Sequence, residues 1–93
     1  MDFAHKARMS KELYLIKFDR DEREFNKFDV VELITVTNSG NCYLVADINN
    51  PLKREWIMNY DLYPVFDSNF PYWYYKIEEF EVKRKEVQKS ITA

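Results

Sequence analysis

The sequence predicts a mainly β (α+β) domain: a small barrel or curled antiparallel sheet of four or five strands with one C-terminal helix. Three observations carry that expectation. Residues 28–48, FDVVELITVTNSGNCYLVADI, are two alternating apolar runs around Asn38-Ser39-Gly40-Asn41, a turn whose glycine is free to adopt positive φ. Further short strand-like runs recur before and after this hairpin, separated by Asp, Asn and Pro. The last part of the chain instead spaces Trp73, Ile77, Phe80, Val87 and Ile91 as one stripe of a helix, with Glu, Lys and Arg on the other faces.

Taken in order, residues 1–10 read as a disordered N-terminal tail, and residues 11–93 as a single domain. In 11–18, KELYLIKF, Leu13 and Leu15 alternate with Tyr14, Ile16 and Phe18, so the first strand is apolar on both sides. The charge-dense stretch 19–27, DRDEREFNK, fits a short helix opened by Asp19 and Glu22 or an irregular loop, with Phe25 reaching inward. After the hairpin, Asn49-Asn50-Pro51 breaks the strand, because proline lacks a ladder donor. REWIMN, 54–59, is the next strand, and YDLYPV, 60–65, a tight turn feeding a last short one. Asp67-Ser68-Asn69 and Pro71 mark a loop. A strand or loop runs through Tyr75, and the helix follows near Ile77–Lys89.

The counts exclude several chemistries. With 93 residues there is one cysteine, Cys42, and one histidine, His5, so neither an internal disulfide nor a Cys/His zinc site can form. A Ser–His–Asp triad would depend on His5 in the tail, and no GxSxG is present. One glycine in the whole chain leaves no phosphate-cradling glycine loop. The expectation is therefore a non-enzymatic protein with no cofactor and no metal. No apolar run approaches the ~20 residues of a membrane span, and the N-terminus lacks the apolar core of a signal peptide. A cytoplasmic location follows as the expectation.

Two features point to function. The 16 aromatics are unevenly placed: half of them lie in residues 60–75, YDLYPVFDSNFPYWYY. Adjacent Tyr72, Trp73, Tyr74 and Tyr75 cannot all point inward from a strand or a helix, so some must reach the surface, where Tyr and Trp make strong interface anchors. Tyr60, Asp61, Tyr63, Asp67, Phe70, Tyr72, Trp73 and Tyr74 are accordingly the candidate protein-binding residues. Charge is uneven too. Residues 29–70 hold two basic and six acidic side chains, whereas the flanking segments are each net +1. Duplex nucleic acid needs a basic face; an acidic sheet suits a partner with a basic surface instead. Lys76, Lys83, Arg84 and Lys85 are the candidate phosphate contacts if the chain binds nucleic acid.

Residues 27–65, KFDVVELITVTNSGNCYLVADINNPLKREWIMNYDLYPV, resemble small SH3-like β-barrels: strand, glycine-tipped hairpin, loop, Trp-containing strand and a short closing turn. The ALYDY-type start and the paired Trp of signalling SH3 domains are absent, so proline-rich peptide binding is not carried over. The resemblance implies a scaffold for macromolecular contact rather than catalysis. In its richness in Phe, Tyr, Asn, Lys and Ile the chain resembles small accessory proteins of phages and other low-GC genomes. The leading expectation is a protein-interaction module, phage-encoded and acting as inhibitor or regulator of a host protein in the host cytoplasm. The alternatives are a single-stranded nucleic-acid binder that stacks bases on its aromatics, and a structural subunit that self-associates through an exposed strand edge.

Overall fold

A computed structural model describes residues 12–66 and 75–92. Five strands, β1 (Leu13–Ile16), β2 (Val30–Val36), β3 (Cys42–Asp47), β4 (Asn50–Met58) and β5 (Leu62–Pro64), form one antiparallel sheet in the order β4-β3-β2-β1-β5. A 3-10 turn, Asn59–Asp61, joins β4 to β5, and helix α1 spans Glu78–Thr92. The sheet is curled rather than closed, since β4 and β5 end it as two separate edges among the described residues. The expected tail, 1–10, falls outside the described residues.

The hairpin forms where the alternation places it. Gly40 takes φ +77° at its tip, and its N–H donates to Thr37 O at 2.9 Å. Added bulk at Gly40 would meet nothing within 4 Å, so its constraint is backbone conformation and not space. The alternation is interrupted once, by a register shift between Leu33 and Thr35 opposite β3.

Of the two forms open to residues 19–27, the chain takes the loop, with turns and no helix, because Phe25 is the only apolar residue in the stretch and no stripe exists to bury. One detail differs from the sequence reading. Pro51 does not end a strand: β4 begins at Asn50. The ladder passes from Ala46 opposite Arg54 to Asp47 opposite Asn50, so residues 51–53 bulge from an edge strand, a place where proline is tolerated.

Each sheet face has its own cover. On one, Ile16, Val31, Val45, Ile57 and Leu62 pack with Phe18 and Phe25 from the β1–β2 loop. Arg23 of that loop donates to Glu55 Oε2 at 2.5 Å, and Lys53 Nζ lies 5.1 Å from the Phe25 ring centre, which ties the loop across to β4. On the other face, Leu13, Leu15, Tyr63, Val65 and Phe80 form the core, with Ile77, Val87 and Ile91 of the helical stripe against them.

Tyr14 lies half-buried on the loop-covered face, edge-on to Tyr43 at 5.6 Å. Burial, then the neighbouring Tyr43 and Glu12, raises its hydroxyl pKa well above the usual tyrosine value. The folded chain thus keeps this proton at a pH where the unfolded chain, titrating near about 10, has lost it. Stability from this group is complete below that pH and falls as pH rises above it. Denaturant titrations on either side of about pH 10 should show Tyr14→Phe losing less stability than the parent; parallel losses would dissociate Tyr14 from the effect.

Candidate functional site

The helix covers only part of its sheet face. Cross-strand neighbours share a face, and the row Leu13, Glu32, Ala46, Arg54 continues the helix-covered side across to β4. Beyond that row the same side carries Leu44 opposite Trp56, and Cys42 opposite Met58. Trp56 is 50% exposed and Met58 38%, with Leu44 and Cys42 half-buried between strands. Tyr60, 57% exposed, follows directly in the 3-10 turn. Trp56 and Met58 therefore line one margin of the sheet beside Leu44, and the exposed Tyr60 follows in the adjoining turn. Half of the Trp56 surface thus lies in water, beside Leu44 on the neighbouring strand.

The expected site residues fare differently. Tyr60 is on the surface, as anticipated. Asp61 is half-buried beneath it; Lys17 Nζ donates to Tyr60 O at 2.9 Å, and Asp61 partly offsets the lowering of the Lys17 pKa by burial. Tyr63 is a correction: its side chain is fully buried. The hydroxyl donates to Glu81 Oε2 at 2.7 Å and accepts from Ile77 N at 3.1 Å, so it holds the start of α1 instead of facing a partner. Asp67, Phe70, Tyr72, Trp73 and Tyr74 lie outside the described residues.

Arg84 is a second correction. It occupies the apolar stripe of α1 and is 7% exposed. Its Nε donates to Val65 O at 2.8 Å and its Nη1 lies 3.1 Å from both oxygens of Glu81, so it is withdrawn from any phosphate surface. Of the remaining candidates, Lys76 and Lys85 are exposed, and Lys83 pairs with Glu86 at 3.6 Å.

The acidic side chains of the sheet do not gather into one patch. Asp29 and Asp47 accept backbone N–H groups of Asn26 and Asn49, Glu55 holds Arg23, and Glu32 is buried at 7% exposure. Glu55 Oε1 is the one buried side-chain oxygen without a hydrogen-bond partner among the described residues. A cleft of about 410 Å³ between α1 and the sheet has Phe28, Val30 and Ile48 on its walls and Asp29, Asp47 and Lys83 at its polar positions. Phe28 adopts φ +74°, a strained value for a bulky residue, held by its ring against Phe80 at 4.8 Å. No group of three or more potential metal ligands occurs among the described residues, and none of their helices is long and apolar enough to cross a membrane.

Sequence reading identified the strand holding Trp56 but not this surface. The signal available was the pair Trp56 and Met58 on one side of REWIMN with Ile57 on the other; which side lacks a cover depends on where the helix ends.

Fold and surface together define a small antiparallel sheet domain, covered by a loop on one face and partly by a helix on the other. No protein-family model, curated protein or solved structure matches the chain.

Proposed function

We propose that this chain is a non-enzymatic protein-interaction module on an SH3-like scaffold, and that its contact surface is the part of the helix-side face left open around Trp56. The observation that carries the reading is the half-exposed Trp56 flanked by Leu44 and Met58, with the exposed Tyr60 in the turn that follows. Large aromatics with exposed apolar neighbours are the usual energetic centre of protein interfaces. The scaffold reading is supported by the strand order β4-β3-β2-β1-β5 and the single 3-10 turn between the last two strands. Of the described residues first expected at the contact, Tyr60 adjoins this surface, Asp61 is half-buried and Tyr63 is buried, so the proposed surface is centred on β4.

The test uses the whole chain and Trp56→Ala as parallel baits, with matched circular dichroism spectra. A protein held by the parent and released by Trp56→Ala is the expected result. Equal retention by both would place the contact elsewhere and overturn the assignment. Salt-sensitive binding of labelled single-stranded oligonucleotides, lost on neutralising Lys76 and Lys85, would replace it with the nucleic-acid reading.

A further inference from the structure

The geometry points to a second copy of this chain as the occupant of the β4 edge, paired antiparallel on a two-fold axis through Trp56. The inference rests on the reading of the Trp56 surface as a contact surface and names what it contacts.

Among the described residues β4 pairs with β3 alone, so its outer side is an unpaired edge. The Asn59 N–H donates to Asn41 O at 2.8 Å, which sets the phase of the backbone. Hydrogen-bonding direction alternates along an antiparallel strand. Residues 55 and 57 therefore turn their N–H and C=O groups toward β3, and Arg54, Trp56 and Met58 turn theirs outward. Such an edge is a template for another strand unless proline, lysine or a bulge blunts it. In β4 those devices sit together in the first half: Pro51, Lys53 and the bulge over 51–53. The half from Arg54 to Met58 has no proline, lysine or bulge, and its two charged residues, Arg54 and Glu55, sit together at one end.

Self-pairing there is further selected by charge. A two-fold axis through Arg54 would oppose two guanidinium groups, and one through Glu55 two carboxylates. An axis through Trp56 sets Arg54 opposite Met58, Glu55 opposite Ile57, and the two indoles side by side. Like charges oppose each other in the first two registers and not in the third; an axis through Ile57 also avoids them but sets each indole opposite Met58 and leaves no outward-facing residue on the axis. In it each outward-facing pair exchanges two hydrogen bonds, and the two Leu44–Trp56–Met58 surfaces join into one. This half-strand can thus pair with itself without opposing like charges and with its apolar surfaces joined, as an isologous interface requires.

Light scattering or sedimentation of the intact chain over a concentration series tests this, alongside Met58→Pro and Trp56→Glu. Met58 already has φ −64° and ψ 142°, values proline adopts, and its N–H faces the free edge. Met58→Pro thus removes an intermolecular donor and leaves the β3–β4 ladder intact. Trp56→Glu sets two carboxylates on the axis at a half-exposed position. The parent should rise from 11.4 kDa to twice that mass. Both variants should keep the parent's circular dichroism spectrum, and their dimer dissociation constants should be weaker by about ten-fold or more. A parent that stays at 11.4 kDa up to millimolar concentration overturns the inference, as does a dimer of undiminished affinity in Trp56→Glu. If Met58→Pro fails to fold, Trp56→Glu decides alone. A monomeric parent whose Trp56→Ala form still releases another protein defeats self-pairing and leaves the contact surface standing.

Discussion

Replacing Arg84 with alanine is expected to lower the stability of the domain by about 3–5 kcal/mol, the cost of breaking a buried charge pair by removing one member. The guanidinium side chain is 9% exposed and the Glu81 carboxylate 15%, so water does little to screen them. Without Arg84, Glu81 keeps the Tyr63 hydroxyl but loses the Arg84 guanidinium, and Val65 O keeps Gln88 Nε2 but loses the Arg84 Nε donor. A domain of this size has about 5–15 kcal/mol in total, so the melting temperature should fall by more than about 10 °C. Arg84→Met combined with Glu81→Gln removes both charges and should recover part of the loss, since neither charge of the pair then remains buried. Lys85→Ala, one residue on and exposed, should change stability by no more than about 0.5 kcal/mol. Equal melting temperatures for Arg84→Ala and Lys85→Ala would show that the buried network contributes nothing.

Phe25→Ala should cost a similar amount, about 3–5 kcal/mol, although Phe25 belongs to a loop. Its ring is fully buried among Ile16, Phe18, Val31, Val45, Ile57 and Leu62, residues of β1, β2, β3, β4 and β5 and the loop itself. Truncation leaves a cavity at the point where the loop seals this face of the sheet. The polar ties of the loop do not substitute for it: the Arg23–Glu55 pair is partly exposed, with side-chain exposures of 21% and 19%. Arg23→Ala should accordingly cost less than Phe25→Ala. Urea denaturation with a common slope gives the comparison directly. A larger loss for Arg23→Ala would mean that the ion pair, and not the ring, closes the loop.

Arg84 and Tyr63 show where local pattern stops being informative. Periodicity places Arg84 on the same helical stripe as Phe80, Val87 and Ile91, but its charge argues for the surface. Its burial is decided by a carbonyl of Val65 and a carboxylate of Glu81 at distances of 2.8 and 3.1 Å. Tyr63 and Tyr60 are alike in sequence, three residues apart in an aromatic-rich run. One ends under the helix and the other in water, because a strand begins between them and fixes which way each side chain points.

The sequence by itself determined the elements: the hairpin and its positive-φ glycine, the mainly antiparallel architecture, and a C-terminal helix with one apolar stripe. These follow from local rules, since alternation of period two and a stripe of period 3.6 need no knowledge of distant neighbours. The open surface around Trp56 was decided by tertiary structure alone. Alternation shows that Trp56 and Met58 share a side of β4, but both sides of β4 are apolar in sequence. Ile57 became core because the β1–β2 loop brings Phe25 over its face, and Trp56 became surface because α1 covers β1 and β5 without reaching β4. Burial is set by what the rest of the chain lays on a face, and that depends on contacts between residues far apart in sequence.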